Sequence, residues 1–281
     1  MFKYGIKIYS TNKQWFSEVV DLIIRGKADF VEIYLVPDSF ELSDFDIFKK
    51  NNIQVALHAP HTTHDFDVFS LNEKSLQVWQ EQVLKTADYL QSQFIITHTG
   101  TGKDENIFRE ESLKIKDKRV LMENMPYKGF IDLGGVFCFG YSKEQLMFIK
   151  NLGFDFCFDF CHAVASACSQ KISPYDFIGE CIDELRPRYF HLAGGNTEDD
   201  TDKHLDLWEG SFDYWFVKEK LAPLAQAQDI FLSFEVPKKD NGLENDLKNI
   251  DFFKLAILQN KSNIFQQQKG NNGAPKLKNR N

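Results

Sequence analysis

Carboxylate and imidazole side chains recur at the ends of short apolar runs along most of the chain. These runs read VALH, IITH, LMEN, FDFCH, YFHL and LSFE, and their polar residues are His58, His98, Glu123, Asp159, His162, His191 and Glu235. The segment DTDKHLDLWEG adds Asp202 and His204. Zinc, manganese and iron all accept such oxygen and nitrogen donors, usually four to six for each ion. Nine donors therefore predict a site for two or three divalent ions.

The histidines are concentrated in this set. Five of the seven histidines belong to it, and the other two, His61 and His64, follow in HAPHTTHDF. A lone histidine in a strand is more often a satisfied core residue than a metal ligand. Buried Glu and Asp, however, need partners, because an unpaired buried charge costs several kcal/mol. No Lys or Arg follows at these strand ends, so the pattern favours metal as the partner.

The donors are separated by a regular alternation of apolar runs and longer amphipathic segments. This pattern is typical of parallel strands joined by crossover helices. The predicted strands are Tyr4–Tyr9, Phe30–Val36, Gln54–Pro60, Phe94–Gly100, Arg119–Pro126, Phe154–Phe160, Tyr189–Gly194 and Ile230–Pro237. Helices are predicted in QWFSEVVDLII, SLQVWQEQVLKTADYL, SKEQLMFIKNL, SPYDFIGECIDEL, DYWFVKEKLAPLAQ and DLKNIDFFKLAIL. Eight such repeats predict an α/β fold, a single (β/α)₈ TIM barrel whose strands end at one mouth.

The predicted barrel occupies residues 1–260, and residues 261–281 form a basic tail that we expect to be disordered. The tail has five basic residues and no acid, so residues 1–260 sum to −13 against −8 for the whole chain. An acidic body counts against a nucleic-acid substrate unless positive charge is concentrated around the site.

Several features bear on the cellular setting. No apolar run is long enough to span a bilayer, and the N-terminal residues read as a strand, so we expect a cytoplasmic monomer without membrane contact. Without a secretory signal, an odd number of cysteines predicts reduced thiols: Cys138, Cys157, Cys161, Cys168 and Cys181. Cys157 and Cys161 lie among the donors, but the oxygen and nitrogen groups suffice for the metal.

The motifs resemble those of the endonuclease IV family (AP endonuclease family 2), within the xylose isomerase-like TIM barrel superfamily. FDFCHAVA is similar to an aspartate–x–cysteine–histidine–alanine strand end of that family, and contains Asp159 and His162. DKHLDLWEG is similar to its aspartate–x–histidine pair and Glu-Gly step, and Glu123-Asn124 matches its Glu-Asn pair. The resemblance extends from about His58 to Glu235.

The resemblance implies three zinc ions, with Mn²⁺ or Fe²⁺ as alternatives. The first would be held by His58, His98 and Glu123. The second would be held by Glu123, Asp159, His191 and Glu235. The third would be held by His162, Asp202 and His204.

The sequence departs from the family in the segments expected to contact DNA. HAPHTTHDFDVF lacks the family's tyrosine and Asn-Leu, VPDSFELSDFD is acidic where a basic residue is expected, and LAGGN follows His191. These departures concern DNA recognition and leave the metal donors intact.

Two enzyme classes remain open. The first is a zinc-dependent phosphodiester hydrolase that cuts abasic DNA in DNA repair with a metal-activated hydroxide. In it Glu123 bridges two ions and Glu235 orients the hydroxide. The second is a sugar or sugar-phosphate isomerase or epimerase, with one ion on the second donor group and a glutamate as base. In either, His61 and Trp208 are candidate substrate contacts.

Overall fold

The computed structural model describes residues 1–128, 137–239 and 242–255. Eight strands form a closed barrel in sequence order, each parallel to the next, and β1 pairs with β8. The strands are β1 (Phe2–Tyr9), β2 (Phe30–Tyr34), β3 (Val55–His58), β4 (Ile95–His98), β5 (Val120–Glu123), β6 (Asp155–Asp159), β7 (Tyr189–Leu192) and β8 (Ile230–Phe234). The predicted TIM barrel is confirmed. The predicted tail, residues 261–281, lies outside the described residues.

Helices surround the barrel. They are α1 (Phe16–Ile24), α2 (Asp46–Lys50), α3 (Glu73–Val78), α4 (Lys85–Leu90), α5 (Glu105–Ser112), α6 (Lys143–Asn151), α7 (Phe160–Gln170), α8 (Pro174–Leu185) and α9 (Tyr214–Ala227). A helical segment at residues 244–255, labelled α10, is the last that is described. A π-helical turn, Trp79–Leu84, joins α3 to α4. Within the described ranges, no helix is both long and apolar enough to cross a lipid bilayer.

Several strands end earlier than their apolar pattern predicts. β3 stops at His58, although Ala59 and Pro60 continue the buried run. Ala59 is fully buried and belongs to the core, so the chain stays apolar for at least one residue beyond the strand. An apolar run therefore marks burial in this barrel, and the strand occupies only the part that pairs with its neighbours.

The sequence pattern also missed α2, α5 and α7. Helix α7, FCHAVASACSQ, is buried from Phe160 to Ala167. A helix buried on all sides has no polar face, so it lacks the 3.6-residue periodicity by which a surface helix is recognised. Helices α2 and α5 are only five and eight residues long, which leaves little periodicity to detect.

The lower part of the barrel interior is filled by aromatic rings. Phe30, Phe94, Tyr189 and Phe231 form one buried cluster, with ring centroids 4.9 to 6.2 Å apart. Most of these contacts are edge-to-face, the favoured geometry for aromatic pairs. The cluster closes the barrel near the beginnings of the strands, so the polar groups occupy the opposite end.

We expect Gly5→Ala to destabilise the barrel by about 1–3 kcal/mol, because overpacking a filled core strains its side chains. A Cβ atom at Gly5 would lie 2.3 Å from Cζ of Phe30. Urea unfolding would measure the change. The double variant Gly5→Ala/Phe30→Leu should recover part of the loss, and an unchanged unfolding midpoint for Gly5→Ala would contradict this account.

Candidate metal centre

The structure brings all nine predicted donors to the mouth at the C-terminal ends of the strands. Four of them are the last residues of β3 to β6: His58, His98, Glu123 and Asp159. His191 lies within β7 and Glu235 directly follows β8. The other three lie in the first turn of α7 and in the loop after β7: His162, Asp202 and His204.

The donor atoms form three overlapping groups, within each of which all donor atoms lie within 4.8 Å of one another. The groups are His58, His98 and Glu123; Glu123, Asp159, His191 and Glu235; and Asp159, His162 and His204. Asp202 adjoins the third group, with Oδ2 3.2 Å from Nε2 of His162 and Oδ1 2.9 Å from Nδ1 of His204. The arrangement parallels the three predicted zinc sites, with Asp159 between the second and third.

Glu123 links the first two groups. Its Oε2 lies 3.1 Å from Nε2 of His58 and 3.3 Å from Nε2 of His98. Its Oε1 lies 2.8 Å from Nδ1 of His191. The side chain is fully buried, so its two oxygens face two different donor groups. This is the arrangement expected of a carboxylate that bridges two ions.

Hydrogen bonds orient three of the imidazoles. Nδ1 of His58 donates to the carbonyl of Ala59 at 2.7 Å, and Nδ1 of His162 donates to the carbonyl of Asn124 at 2.9 Å. Each ring therefore turns Nε2 toward the centre. His191 is oriented the opposite way, with Nε2 2.9 Å from the carboxylate of Glu32. A histidine that binds metal through one nitrogen commonly donates from the other to a carbonyl or carboxylate.

Within the part of the chain that the structure describes, three buried polar atoms of the centre have no hydrogen-bond partner: Oδ2 of Asp159, Oδ1 of Asp202 and Nε2 of His204. Buried polar groups are nearly always satisfied, and an unmet one calls for an explanation such as an ion. Oδ1 of Asp202 lies close to His204 without forming a hydrogen bond. Two donors that approach each other without bonding suit a common divalent ion, so the residues fit metal.

Two buried residues that the sequence analysis missed complete the electrostatics. Glu32 on β2 receives a 2.6 Å hydrogen bond from the hydroxyl of Tyr189, besides its contact with His191. Nζ of Lys7 on β1 lies 3.1 Å from Oε1 of Glu32 and 2.8 Å from Oε2 of Glu235. The expectation that no lysine neutralises these carboxylates was therefore wrong. The available signal was a single charged residue inside each apolar strand, in GIKIY and FVEIY.

Burial and charge act in opposite directions on the carboxylates. Burial acts to raise the pKa of Glu123, but His191 and His98 outweigh it and hold the pKa well below its usual range. For Glu235, the charges of Lys7 and His204 likewise outweigh burial and lower the pKa. These two carboxylates are therefore charged at neutral pH, as metal ligands must be.

The imidazoles of the third group have raised pKa values, because neighbouring carboxylates outweigh the effect of burial. Burial acts to lower the pKa of His162, but Asp159 and Asp202 overcome it and raise the pKa to about 10. Asp202 and Glu235 likewise raise the pKa of His204 against the effect of burial. Because metal binds neutral imidazole, metal uptake at this group must release protons.

A cleft of about 390 Å³ opens above the donors. Its lining includes His58, His98, His162 and His204. His61 also lines it, and its ring stacks on that of His98 with centroids 4.8 Å apart. Burial and the neighbouring charges of His98 and His58 lower the pKa of His61 to about 2. His61 is thus a neutral group at the position expected of a substrate contact.

The structure does not bring Trp208 to this cleft, contrary to the expectation. Trp208 lines a separate groove of about 290 Å³ and packs against Phe252, with ring centroids 5.8 Å apart. The chain just before it explains this, because Asp206 accepts hydrogen bonds from Asn245 and Asn249 of α10. The chain after His204 therefore runs toward α10 and away from the metal donors.

All five cysteines are free, as predicted. Cys157 lies close to Glu123 and His191, within the same 4.8 Å donor distance. Burial raises the pKa of its thiol, and since only the thiolate binds metal well, the oxygen and nitrogen donors are better suited.

Comparison with known proteins supports the fold. No family model and no curated protein sequence matches the chain. Similar solved structures include a D-tagatose 3-epimerase-like protein, with a TM-score of 0.66 and 19% identity over 93% of this chain and 99% of that chain. Endonuclease IV from Thermus thermophilus has a TM-score of 0.66 and 18% identity over 92% and 99%. L-ribulose 3-epimerase has a TM-score of 0.62 and 15% identity over 99% and 100%.

These structural neighbours share the fold and include both an endonuclease and epimerases. The expected likeness to endonuclease IV is confirmed at the level of the fold. At these identities the likeness does not distinguish the two activities.

Proposed function

We propose that the protein is a zinc-dependent phosphodiester hydrolase with a multinuclear centre. The observation that carries the proposal is a set of three further donors, His162, Asp202 and His204, beside a four-donor group that would suffice for one ion. Among the described residues, the buried atoms Oδ1 of Asp202 and Nε2 of His204 have no hydrogen-bond partner. An enzyme with one ion would leave these groups, and His58 with His98, without a role.

Charge balance supports the same class. The donors include four carboxylates, Glu32 adds a fifth, and Lys7 opposes them with one positive charge. One divalent ion would leave this set of groups net negative, whereas three would make it net positive. A positive centre favours a phosphoryl group, and a negative one disfavours it.

The residues can be assigned roles in this chemistry. The first ion would be held by His58, His98 and Glu123, the second by Glu123, Asp159, His191 and Glu235, and the third by His162, Asp202 and His204. When bound, divalent ions would polarise the phosphoryl group, lower the pKa of a coordinated water and stabilise the leaving oxygen.

Glu235 is the carboxylate best placed to orient the attacking water. Its side chain is 26% exposed, so it lies at the surface of the cleft, whereas Glu123 is fully buried. Lys7 holds its Oε2 at 2.8 Å, and Nδ1 of His191 lies 3.2 Å from the same oxygen. A carboxylate fixed by two such contacts can orient a water molecule while its own position stays fixed.

By likeness to endonuclease IV, the proposed substrate is DNA with an abasic site, cut in DNA repair. Besides the metal donors, the cleft is lined by the neutral imidazole of His61 and the side chain of Tyr9, which are candidate contacts for the sugar.

A sugar or sugar-phosphate epimerase is the second candidate. Glu123, Asp159, His191 and Glu235 form a complete donor set for one ion without His162, Asp202 or His204. Epimerases are among the structural neighbours. In this alternative, Glu235 would act as the proton-transfer base from its exposed position in the cleft.

The test is cleavage of a duplex oligonucleotide with one abasic site by zinc-loaded protein. We expect His162→Ala and Glu235→Ala to lower the rate by more than about a hundredfold, since mutating even supporting residues of a metal site costs 10- to 100-fold. His64→Ala is the matched control, because His64 hydrogen-bonds to Tyr34 and belongs to none of the donor groups. Fully metal-loaded protein that does not nick DNA at high enzyme concentration would remove DNA as substrate, and sugar phosphates would be screened instead.

A further inference from the structure

Two lysines line the cleft beside the metal donors. Lys203 lies in the loop after β7 and Lys238 in the loop after β8. Glu235 is the one acidic side chain among the described residues that line this cleft, and Lys7 is a third lysine there. The whole chain, by contrast, has 41 acidic and 33 basic residues. The lining of the cleft is thus basic in an otherwise acidic protein.

Lys203 and Lys238 each form an ion pair with a carboxylate that does not itself line the cleft. Lys203 pairs with Asp199, and Lys238 pairs with Asp246. An ammonium group has three hydrogen-bond donors, so one ion pair leaves further donors for an incoming anion. The pairs therefore restrict the positions of the lysines without using up their capacity to bind.

The Lys238–Asp246 pair is costly to bury and has no evident role in the barrel core. The side chain of Asp246 is fully buried, and its Oδ2 has no hydrogen-bond partner among the residues that the structure describes. Burial raises the pKa of Asp246 to about 6, against the opposing charge of Lys238. Replacing such a pair by apolar residues is often neutral or stabilising. The pair would have a function if it serves to hold the ammonium group of Lys238 at the surface of the cleft.

The two lysines are also close in sequence to donors of two groups. Lys203 lies between Asp202 and His204, and Lys238 lies three residues after Glu235. Both lysines line the same cleft as the donors, so a substrate held at the metal donors would occupy a cleft that contains both.

We propose that Lys203 and Lys238 form a second anion subsite, which binds a phosphate of the substrate other than the one that is cleaved. The inference rests on the proposed function and defines its substrate class as molecules with at least two phosphates. A neighbouring phosphate of a nucleic-acid strand has this chemistry, and so does the second phosphate of a sugar bisphosphate. A neutral sugar would have no group for this subsite.

The test compares three variants by binding. Zinc-loaded protein with Glu235→Ala serves as the background, so that the ligand is not cut. One ligand is a labelled duplex with a tetrahydrofuran abasic analogue, measured by fluorescence anisotropy. The others are fructose 1,6-bisphosphate and fructose 6-phosphate, measured by calorimetry. The variants are Lys238→Gln, Asp246→Asn and Lys239→Gln.

Lys239→Gln is the matched control. It removes the same charge from the adjacent residue, but Nζ of Lys239 contacts Asp206 and Glu209, and Lys239 does not line the cleft. We expect Lys238→Gln to weaken binding about tenfold, because a charged hydrogen bond is lost. With the duplex it should also reduce the slope of log Kd against log salt by about one. Lys239→Gln should change neither value.

The Asp246→Asn variant distinguishes an anion-binding role of Lys238 from a purely structural one. It releases Lys238 from its partner, so a subsite predicts binding at least as tight as in the background. Equal weakening by Lys238→Gln and Asp246→Asn would show a structural effect and overturn the proposal. The proposal would also be overturned if the Lys238→Gln variant bound every ligand as tightly as the Lys239→Gln variant.

The two sources of phosphate give different patterns. A Lys238 effect on the duplex indicates a nucleic-acid strand, and an effect on the bisphosphate but not the monophosphate indicates a small bisphosphate. Because the readout is binding, the subsite can be supported when hydrolysis fails. Conversely, if the protein cleaves DNA but Lys238→Gln does not weaken binding, the hydrolase proposal stands and the subsite proposal is rejected.

Discussion

Asp202→Ala is expected to lower phosphodiester cleavage by more than about a hundredfold and to remove one equivalent of bound zinc. Asp202 lies 3.2 Å from Nε2 of His162 and 2.9 Å from Nδ1 of His204. Without Asp202, the proposed third ion would keep only these two imidazoles of its three predicted donors. Zinc content would be measured by mass spectrometry and activity on an abasic duplex. We choose this variant because the four-donor group would remain intact.

Asp200→Ala is the control for this experiment. Asp200 lies in the same loop and pairs with Lys128, away from the donor groups, so zinc content and rate should both stay near the wild-type values. An epimerase that uses only Glu123, Asp159, His191 and Glu235 would keep its turnover in Asp202→Ala. Undiminished turnover of a sugar with one zinc fewer would therefore contradict the hydrolase and favour the epimerase.

Lys7→Met is expected to destabilise the metal-free protein by about 3–5 kcal/mol, the cost of breaking a buried ion pair from one side. Lys7 is 5% exposed and contacts both Glu32, which is fully buried, and Glu235. Its removal leaves two neighbouring carboxylates without their shared cation. Urea unfolding in the presence of a chelator would measure the loss.

Zinc should compensate for part of this loss, because divalent ions neutralise the same carboxylates. We therefore expect zinc to raise the melting temperature more in Lys7→Met than in the wild type. The double variant Lys7→Met/Glu32→Gln restores the charge balance and should recover much of the stability. A single variant as stable as the wild type, or a double variant no better than the single, would refute the assigned role of Lys7.

The barrel and the position of its candidate metal donors could be predicted from the sequence because both depend on local features. An apolar run that ends in His, Asp or Glu is visible in the chain, and the parallel order of the strands then brings these ends together. The donors His58, His98, Glu123 and Asp159 each end a strand, and all lie at the one mouth. Helix α7 escaped prediction because it is buried on nearly every side.

The charge balance around the donors and the lining of the cleft depend on contacts between residues far apart in the chain. Closure of the barrel pairs β1 with both β2 and β8, which sets Lys7 opposite Glu32 and beside Glu235, over two hundred residues later. Likewise, Asp206 binds α10 and turns Trp208 away, while Lys238 faces the cleft and the adjacent Lys239 does not. Residue type and strand-end position are properties of the chain, so the candidate metal donors can be recognised without the structure. Barrel closure decides which charges lie next to the donors. The direction of each loop decides which side chains face the cleft where a substrate would bind.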